Sequence, residues 1–550
     1  MLKKIFSYNS FSTLYAIFAA IFVYALILLY LNNGISCDEG YYLLGYLKNQ
    51  NIGVSASDFH YIVKAITPDK YEANVVFYRI LRFVLDFASV LFFAFTSYKW
   101  TKKRFNISVN FCLFAAVIIL SGSISYTYAA PTISFDHLQH IFYLSAFSFF
   151  FLSDITEKKC AKIINIFCLG FFLLFAIVNY LPSGILLSAV IIVLFFVLNK
   201  PKIALQNSLY IVFGLILGGI FYNFAIHSLI DFSKNAIALI NVEADGTTFH
   251  DSFDLLFRVF KAIGVFLLWQ IPAVVFALII KKINNKWLTG ISFILLIFIY
   301  VYFRKVHTLG GNLLFMPITF LLTSFFSKKQ NFSTFLIVLI LTFIPFAGVF
   351  GTNQDILHKL LIFFPFWTLL FFILLKNTNG NYNRWLVIFT ITLITDGYIY
   401  LGHLWGYHYD YTPHSSKYEL MQCERFKHIY VHEYKQNYYK HLIDTLKEIG
   451  FKSGETMVAF SDNQIAIYLV GGKFHGDLVY GINQYTIPKE RAKYLILFKN
   501  EVEEDIKYLE KSGWNFPADY HEIELGRICG QSNLDRTTIL YYLKDEMENQ

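Results

Sequence analysis

The sequence predicts an α-helical, polytopic membrane protein of about thirteen transmembrane helices, followed by a small α/β domain. Of its 550 residues, 56% are hydrophobic and 19% aromatic but only 15% are charged, and the mean hydropathy is +0.49. In soluble domains about a quarter of the residues are charged. Apolar runs of about 18 residues or more recur up to residue 404 and then stop. We therefore divide the chain into a transmembrane domain, residues 1–404, and a C-terminal domain, residues 405–550.

The predicted spans follow one another with mostly short connections. The first, Phe11–Leu31, is long enough to cross a bilayer, and we interpret it as an uncleaved span because no small-residue cleavage site follows it. The others are residues 76–98, 109–128 and 133–152, a pair around Pro182, a segment ending near Leu229, residues 257–280 and 287–303, a short segment carrying Pro317, a segment ending near Phe350, and residues 357–375 and 385–404.

Charge alternates between successive connections, as the positive-inside rule requires of a protein with a cytoplasmic N-terminus. The connections predicted to be cytoplasmic carry Lys99, Lys102, Lys103, Arg104, Lys158, Lys159, Lys162, Lys200, Lys202, Lys281, Lys282, Lys286, Lys328, Lys329, Lys376 and Arg384. Most acidic residues fall in the other connections. An odd number of spans then places the C-terminal domain outside the cytoplasm. We expect the protein to be a multi-pass protein of a bacterial inner or cell membrane. The net charge of +8 marks cytoplasmic loops and does not indicate a nucleic-acid partner.

The C-terminal domain shows mixed periodicity. The segments "KHLIDTLKEIGF" and "VEEDIKYLEKSGW" predict amphipathic helices, and "TMVAF", "IAIYLV" and "AKYLILF" predict short strands. Cys423 and Cys529 both lie in this domain and either form a disulfide in an oxidising compartment or remain two thiols. The six cysteines of the chain show no zinc-site spacing.

The first outer loop, residues 32–75, opens with adjacent carboxylates, Asp38 and Glu39. Ser36 and Glu39 match a capping box, so one interpretation is that the acids only begin a helix lying in the membrane interface. The other interpretation is chemical: a carboxylate at the hydrocarbon boundary is partly desolvated, its basicity rises, and it can take a proton from a hydroxyl. The two are compatible. "EGYYLLGYLKNQ" and "DFHYIVKAI" predict short interfacial helices in this loop.

This arrangement resembles the GT-C superfamily of membrane glycosyltransferases. The likeness consists of Asp-Glu after the first span, juxtamembrane amphipathic helices, eleven to thirteen spans and a C-terminal outer domain. Protein O-mannosyltransferases and lipid A aminoarabinose transferases are the members it resembles most. The resemblance implies that Asp38 in "DEGYYL" is the catalytic base or orients the acceptor, with Glu39 as its companion. "PTISFDHLQH" at the fourth span also looks like family members.

The resemblance further implies an inverting transfer of a sugar from polyprenyl phosphate to a hydroxyl, amine or phosphate of a glycan, lipid or protein acceptor. Cations on the outer side would bind the donor phosphate, because guanidinium and ammonium groups complement phosphate oxygens. Snorkelling toward lipid headgroups or loop ion pairs are the alternatives for these cations. The candidates are Arg304, Lys305 and His307, with Arg79 as a secondary one; Asp136, His137, Asn353 and Lys359 are candidates for lining the substrate cavity.

Two further side-chain groups have structural interpretations. Arg82 and Asp86, four residues apart in the second span, predict an internal ion pair. Asp136, His137 and His140 could join Asp38 in holding a divalent metal, but paired histidines at this spacing are more often ordinary polar contacts, so no cofactor is expected to be required.

Other classes of membrane protein remain alternatives. An O-antigen ligase or polymerase would place key residues in a large late outer loop, whereas here the large outer segments are the first loop and the C-terminus. A lipid or solute transporter would show inverted repeats and broken helices at the midplane, and no matched pair is found. In a structural or assembly factor, Asp38 would be dispensable.

Overall fold

A computed structural model gives the fold of most of the chain. It describes residues 8–35, 39–55, 57–107, 109–127, 131–241, 252–283, 310–352, 356–376, 389–390, 393, 418–421, 423–460, 463–482, 485–486, 488–510, 513–527 and 537–544. The helices of the first domain are α1 (Tyr8–Tyr30), α2 (Glu39–Tyr46), α3 (Phe59–Ile66), α4 (Val75–Phe105), α5 (Phe111–Gly122), α6 (Phe135–Ile155), α7 (Lys159–Asn179), α8 (Leu181–Leu198), α9 (Pro201–Ala225), α10 (Leu229–Asn241), α11 (Ser252–Ile283), α12 (Gly310–Phe326), α13 (Phe332–Gly348), α14 (Ile356–Lys359) and α15 (Phe364–Leu375).

Seven of these helices, α1, α4, α6, α7, α8, α9 and α11, are long and apolar enough to cross a membrane. Shorter apolar helices lie at α5, α12, α13 and α15. The protein is therefore a mostly helical integral membrane protein, and the described residues do not confirm a count of thirteen spans. The predicted spans at residues 287–303 and 385–404 lie wholly or almost wholly outside the described residues.

The third predicted span, residues 109–128, is a short α-helix that tightens into a 3-10 helix at Ser123–Thr127. Hydroxyls cause the change, because Ser121, Ser123 and Ser125 each bond the backbone carbonyl three residues earlier, at 2.7, 2.7 and 2.8 Å. Such local bonds compete with regular helical geometry. The 3-10 turn places Ser125 and Tyr126 beside α4.

The helix bundle buries its small residues and exposes large apolar ones, as lipid-facing helices do. Phe18, Leu29 and Phe224 are more than two-thirds exposed, whereas α6 is the most enclosed of the seven long helices. α7 and α9 approach closely at Gly170 and Gly214, where an added Cβ on Gly170 would lie 2.4 Å from the carbonyl oxygen of Ile211. Small residues at such a crossing allow the backbones to touch.

The first loop contains the two short helices that the sequence predicts, α2 and α3. Gly45 lets them pack together, because a Cβ there would lie 2.0 Å from the imidazole of His60. His60 is completely buried beneath Tyr41 and Phe59. Burial lowers the pKa of His60 well below its usual value, and the nearby ammonium of Lys64 acts in the same direction.

The C-terminal domain is a small α/β unit. A five-stranded sheet has the order β4-β3-β5-β7-β6, in which β3 is parallel to β4 and β5 while β7 is antiparallel to both β5 and β6. A separate antiparallel pair is formed by β1 and β2. The strands are β1 (Tyr418–Leu420), β2 (Tyr430–His432), β3 (Thr456–Ala459), β4 (Lys473–Phe474), β5 (Tyr494–Phe498), β6 (Tyr520–Arg527) and β7 (Thr537–Leu543), and the helices are α16 (Glu433–Glu448), α17 (Gln464–Leu469) and α18 (Val502–Glu510).

Four of the five secondary-structure predictions in this domain are confirmed, and one is wrong. "TMVAF" and "AKYLILF" contain β3 and β5, and the two amphipathic segments contain parts of α16 and α18. "IAIYLV" was predicted to be a strand but lies mainly in α17. Every residue of α17 is buried, so its apolar run shows no one-sided periodicity that would distinguish helix from strand.

Backbone hydrogen bonds join the first loop to the C-terminal domain at two places. The amide of Gly34 donates to the carbonyl of Tyr430 at 2.7 Å, and the amide of Tyr430 donates to the carbonyl of Asn32 at 2.9 Å. At the second place, the amide of Gly53 donates to the carbonyl of Leu478 and the amide of Leu478 donates to the carbonyl of Asn51, each at 2.8 Å. The loop and the domain therefore pack as one body against the end of the helix bundle.

Candidate functional site

Glu39, the first residue of α2, is completely buried and paired with Arg79 of α4. Nε and Nη2 of Arg79 donate to Oε1 and Oε2 of Glu39 at 3.2 and 2.8 Å. Nη1 of Arg79 also donates to the carbonyl of Leu31 at 2.6 Å, and Nη2 donates to the carbonyl of Gly34 at 2.8 Å. This two-bond pairing fixes the position of the residue that directly follows Asp38 in the chain.

Arg79 was predicted to be a secondary ligand of a donor phosphate. In the structure its guanidinium is fully buried and bonds one carboxylate and two backbone carbonyls instead. A charge so enclosed needs a partner of opposite charge, and Glu39 supplies it. The geometry therefore favours a positioning role for Arg79 over contact with a phosphate.

The α5–α6 connection also contacts Glu39. The backbone amide of Thr132 donates to Oε1 of Glu39 at 3.2 Å, and the hydroxyl of Tyr46 donates to the carbonyl of Ile133. Arg82 bonds the carbonyls of Pro131 and Ser125 at 3.2 and 3.1 Å. The α5–α6 connection is thus held by hydrogen bonds to α2 on one side and to Arg82 of α4 on the other.

Arg82 and Asp86 are both buried, but the hydrogen bonds found for them differ from the predicted internal pair. Besides its carbonyl contacts, Arg82 lies over the ring of Tyr126, 4.3 Å from the centroid. Asp86 accepts from Nδ1 of His140 at 2.8 Å and from the hydroxyl of Ser125 at 3.2 Å. The two residues therefore connect α4 to α6 and to the 3-10 turn, which fixes the connection that meets Glu39.

The C-terminal domain covers the other side of α2. An added Cβ on Gly40 would lie 2.1 Å from the backbone nitrogen of Ile465, so only glycine permits this contact between α2 and α17. Tyr468 of the same helix is fully buried. Its burial raises the pKa of its hydroxyl well above the usual value, with Tyr78, Arg425 and Glu39 as charged or ionisable neighbours. Glu39 is thus enclosed by α4, by the α5–α6 connection and by the C-terminal domain.

Asp136 and Lys359, two of the predicted cavity residues, form an ion pair with each other. Nζ of Lys359 lies 3.0 Å from Oδ1 of Asp136 and 4.8 Å from the centroid of Phe135. The side chain of Lys359 is 2% exposed and that of Asp136 is 12% exposed, so the pair is nearly closed off from solvent. It joins the start of α6 to α14.

The other predicted site residues divide into two groups. His137 lies within the structure, where its Nδ1 is 2.9 Å from the hydroxyl oxygen of Ser134. The rest lie outside the described residues and remain predictions: Asp38, Arg304, Lys305, His307 and Asn353.

Within the described ranges, no three His, Cys, Asp or Glu side chains come together as metal ligands would. Asp136 bonds Lys359, and His140 bonds Asp86, so these two members of the predicted metal set have other partners. Asp38, the fourth member, is not described. The expectation that no cofactor is required therefore stays a prediction.

A polar cluster around Asp58 could not be inferred from the sequence. Asp58 is buried in the first loop and accepts from the hydroxyl of Tyr222 at 2.7 Å and from Nδ1 of His227 at 2.8 Å. The ring of His227 stacks on Tyr61, 3.7 Å between centroids. The cluster anchors the loop to α9 across more than 160 positions in sequence. An isolated Asp before a helix gives no signal of so distant a partner.

Comparison with known proteins yields a structural likeness. No protein-family model matches the chain, and no curated protein does. The chain is similar to the crystal structure of the Archaeoglobus fulgidus oligosaccharyltransferase in complex with Zn and sulfate, with 12% identity over 88% of this chain and 68% of that chain. The TM-score is 0.47, and overlap at this level does not establish a common fold or a common activity.

Proposed function

We propose that this protein is a membrane glycosyltransferase of the GT-C type that transfers a sugar from a polyprenyl-phosphate carrier to an acceptor hydroxyl outside the cytoplasm. One observation carries the proposal: the buried ion pair between Glu39 and Arg79 fixes the start of α2 at the meeting point of three parts of the protein. Asp38 immediately precedes Glu39 in the chain. We infer from this sequence position that the carboxylate of Asp38 takes a proton from a bound hydroxyl.

In the proposed reaction, Asp38 accepts the proton of the acceptor hydroxyl while the hydroxyl oxygen attacks the anomeric carbon of the donor sugar. The bond between that carbon and the phosphate oxygen breaks, and polyprenyl phosphate leaves with the bonding electron pair. Attack from the face opposite the leaving group inverts the anomeric configuration. No covalent intermediate with the protein is needed.

The leaving phosphate gains negative charge as the bond breaks, so cations beside it lower the barrier. Arg304, Lys305 and His307 remain the proposed ligands of this phosphate. Arg79 is assigned instead to holding Glu39. Lys359 is nearly enclosed and paired with Asp136, which supports a role in shaping the site from α14.

A panel of isotopically labelled polyprenyl-phosphate sugars tests the function. Membranes containing the full chain are supplied with carriers of mannose, glucose, N-acetylglucosamine and aminoarabinose, and both labelled product and released polyprenyl phosphate are measured. We expect release of polyprenyl phosphate in equal amount to product, and NMR of the product should show the anomeric configuration opposite to that of the donor. Retained configuration would exclude the single displacement.

The proposed topology has its own test. Cysteines introduced at Ser36 and Ser416 are treated in intact cells with a thiol reagent that does not cross membranes, in a background lacking the native cysteines. Both positions should be labelled from outside. Labelling of either position only after the membrane is opened would place Asp38 or the C-terminal domain on the wrong side.

A further inference from the structure

The C-terminal domain buries three polar atoms near the start of α2 for which the described part of the chain supplies no hydrogen-bond partner. They are Oδ1 of Asn463, Oε1 of Gln464 and the hydroxyl of Tyr468. The three side chains are 1%, 0% and 0% exposed. Leaving one such atom unsatisfied costs about 1–3 kcal/mol, and native proteins contain few of them. Three of them fall within six residues of chain, at the contact between α17 and α2.

The positions of these atoms relate them to the candidate site. Gln464 and Tyr468 are four residues apart on α17 and therefore share one face of that helix. The peptide between Gln464 and Ile465 lies directly against Gly40, next to Glu39. Tyr468 is also close enough to Glu39 for the carboxylate to influence its hydroxyl. The polar face of α17 therefore adjoins the start of α2.

The orientation of two of the side chains is fixed by contacts. The amide nitrogen of Gln464 donates to the carbonyl of Val479 at 2.5 Å, so the amide oxygen is the end that lacks a partner. The ring of Tyr468 is held between Phe426, at 5.6 Å, and the guanidinium of Arg425, at 4.9 Å from the centroid. Groups that are already fixed lose little entropy when they bind a ligand.

The chemistry of the three atoms selects a class of ligand. The two amide oxygens only accept hydrogen bonds, and the tyrosine hydroxyl both donates and accepts. A phosphate at neutral pH offers almost only acceptors and would leave the amide oxygens unsatisfied. Neighbouring hydroxyl groups of a sugar ring supply donors at short spacing. The set therefore complements a polyhydroxylated ligand.

We propose that Asn463, Gln464 and Tyr468 form a subsite for the hydroxyl groups of a sugar, placed beside Glu39 by the packing of α17 on α2. The sugar belongs either to the polyprenyl-phosphate donor or to a glycan acceptor, so this inference rests on the proposed function. Because the three atoms are enclosed, covering side chains must shift when the sugar enters, as interface rotamers commonly do.

Tyr468→Phe tests the subsite, because it removes one hydroxyl and keeps the ring. Removing a buried group that has no partner does not destabilise a fold, so the melting temperature should stay the same or rise. Tyr494→Phe is the control for removing a buried tyrosine hydroxyl elsewhere in the domain, since Tyr494 on β5 is also fully buried but packs against Phe451 and has Lys493 and Glu455 beside it. Both variants are made in the full chain and purified in detergent.

Binding is measured for polyprenyl-phosphate sugars and for the same lipid without its sugar. We expect Tyr468→Phe to weaken binding of the sugar-bearing lipid about threefold to tenfold, the loss of one neutral hydrogen bond, and to leave the sugar-free lipid unaffected. Tyr494→Phe should change neither. If the sugar belongs to the acceptor, the KM for a glycan acceptor rises instead, and donor binding is unchanged.

Unchanged donor binding together with an unchanged acceptor KM in Tyr468→Phe would overturn the subsite. Equal affinity of the wild-type protein for the two lipids, with no dependence of acceptor KM on Tyr468, would overturn it as well. The binding comparison needs no turnover. A wild-type protein that binds sugar-bearing lipid more tightly but transfers no sugar would contradict the proposed function and not the subsite.

Discussion

The carboxylate of Glu39 and the guanidinium of Arg79 form an ion pair that is closed off from solvent on both sides, with Nη2 and Oε2 2.8 Å apart. The pair joins the beginning of α2 to α4, and the amide of Thr132 adds a bond to the same carboxylate. Enclosed charges are tolerated only where each satisfies the other. The pair therefore ties three segments together at one point, directly beside the acid that we propose as the base.

Glu39→Gln should destabilise the protein strongly. The substitution keeps the size and one acceptor oxygen but leaves the charge of Arg79 buried without its partner, which costs about 3–5 kcal/mol in comparable sites. The melting temperature of the purified protein in detergent measures this loss.

Glu157→Gln is the control, because it breaks an exposed ion pair with Lys103 in which the carboxylate side chain is 88% exposed. Exposed pairs contribute about 0–1 kcal/mol. If both substitutions lowered the melting temperature by the same small amount, the pair at Glu39 would not be the fixed point described above.

Gly40→Ala should separate α2 from α17. The new methyl group would lie 2.1 Å from a backbone nitrogen, and backbone cannot move aside as a flexible side chain can. We expect a lower melting temperature and faster proteolysis of the C-terminal domain. Gly264→Ala is the matched control in helix α11, where a Cβ meets no atom of the described residues within 4 Å. Identical behaviour of the two variants would contradict the close contact.

Lys64 should make stability depend on pH in the alkaline range. Burial lowers its pKa to about 8, opposed in part by Glu72. Between about pH 8 and the unfolded value near 10.4, the unfolded chain binds more protons than the folded one, so the free energy of unfolding rises with pH. Below that window the folded state carries the desolvation cost of a partly buried ammonium, which donates to the carbonyl of Gln50 at 2.6 Å.

Lys64→Met removes this dependence. The variant should therefore gain most over the wild type at pH 7.5, and its advantage should shrink toward pH 10, as measured by melting temperatures. Lys70→Met, at an exposed lysine of the same loop, controls for the loss of one positive charge. Parallel melting curves for the wild type and Lys64→Met across this range would show that Lys64 does not titrate as described.

Long apolar runs predict helices well, because the length of a span and its composition are local properties. Helices α4 and α6 begin within two residues of the positions expected from sequence. The helices of the first loop were also predictable, since "EGYYLLGY" begins at a capping box and "FHYIVKAI" is amphipathic. Local patterns do not report what a buried segment packs against, which is why α17 was mistaken for a strand.

Partners of buried charges are less predictable. Arg82 and Asp86 suggested an internal pair because the sequence shows only neighbours on one helix, whereas Asp86 bonds His140, 54 residues away. Arg79 similarly meets Glu39 across 40 residues. Gly40 likewise approaches a helix more than 400 residues later in the chain, which no local pattern reports.

The rate of sugar transfer by Asp38→Asn decides whether Asp38 is the catalytic base. The full chain is purified, loaded with a labelled polyprenyl-phosphate sugar that the wild type uses, and followed in a single turnover beside Asp69→Asn, which removes an exposed carboxylate of the same loop. We predict that Asp38→Asn binds donor normally but transfers at least about a hundredfold more slowly, as expected for loss of a general base, while Asp69→Asn transfers like the wild type. Transfer by Asp38→Asn at the wild-type rate would contradict this role.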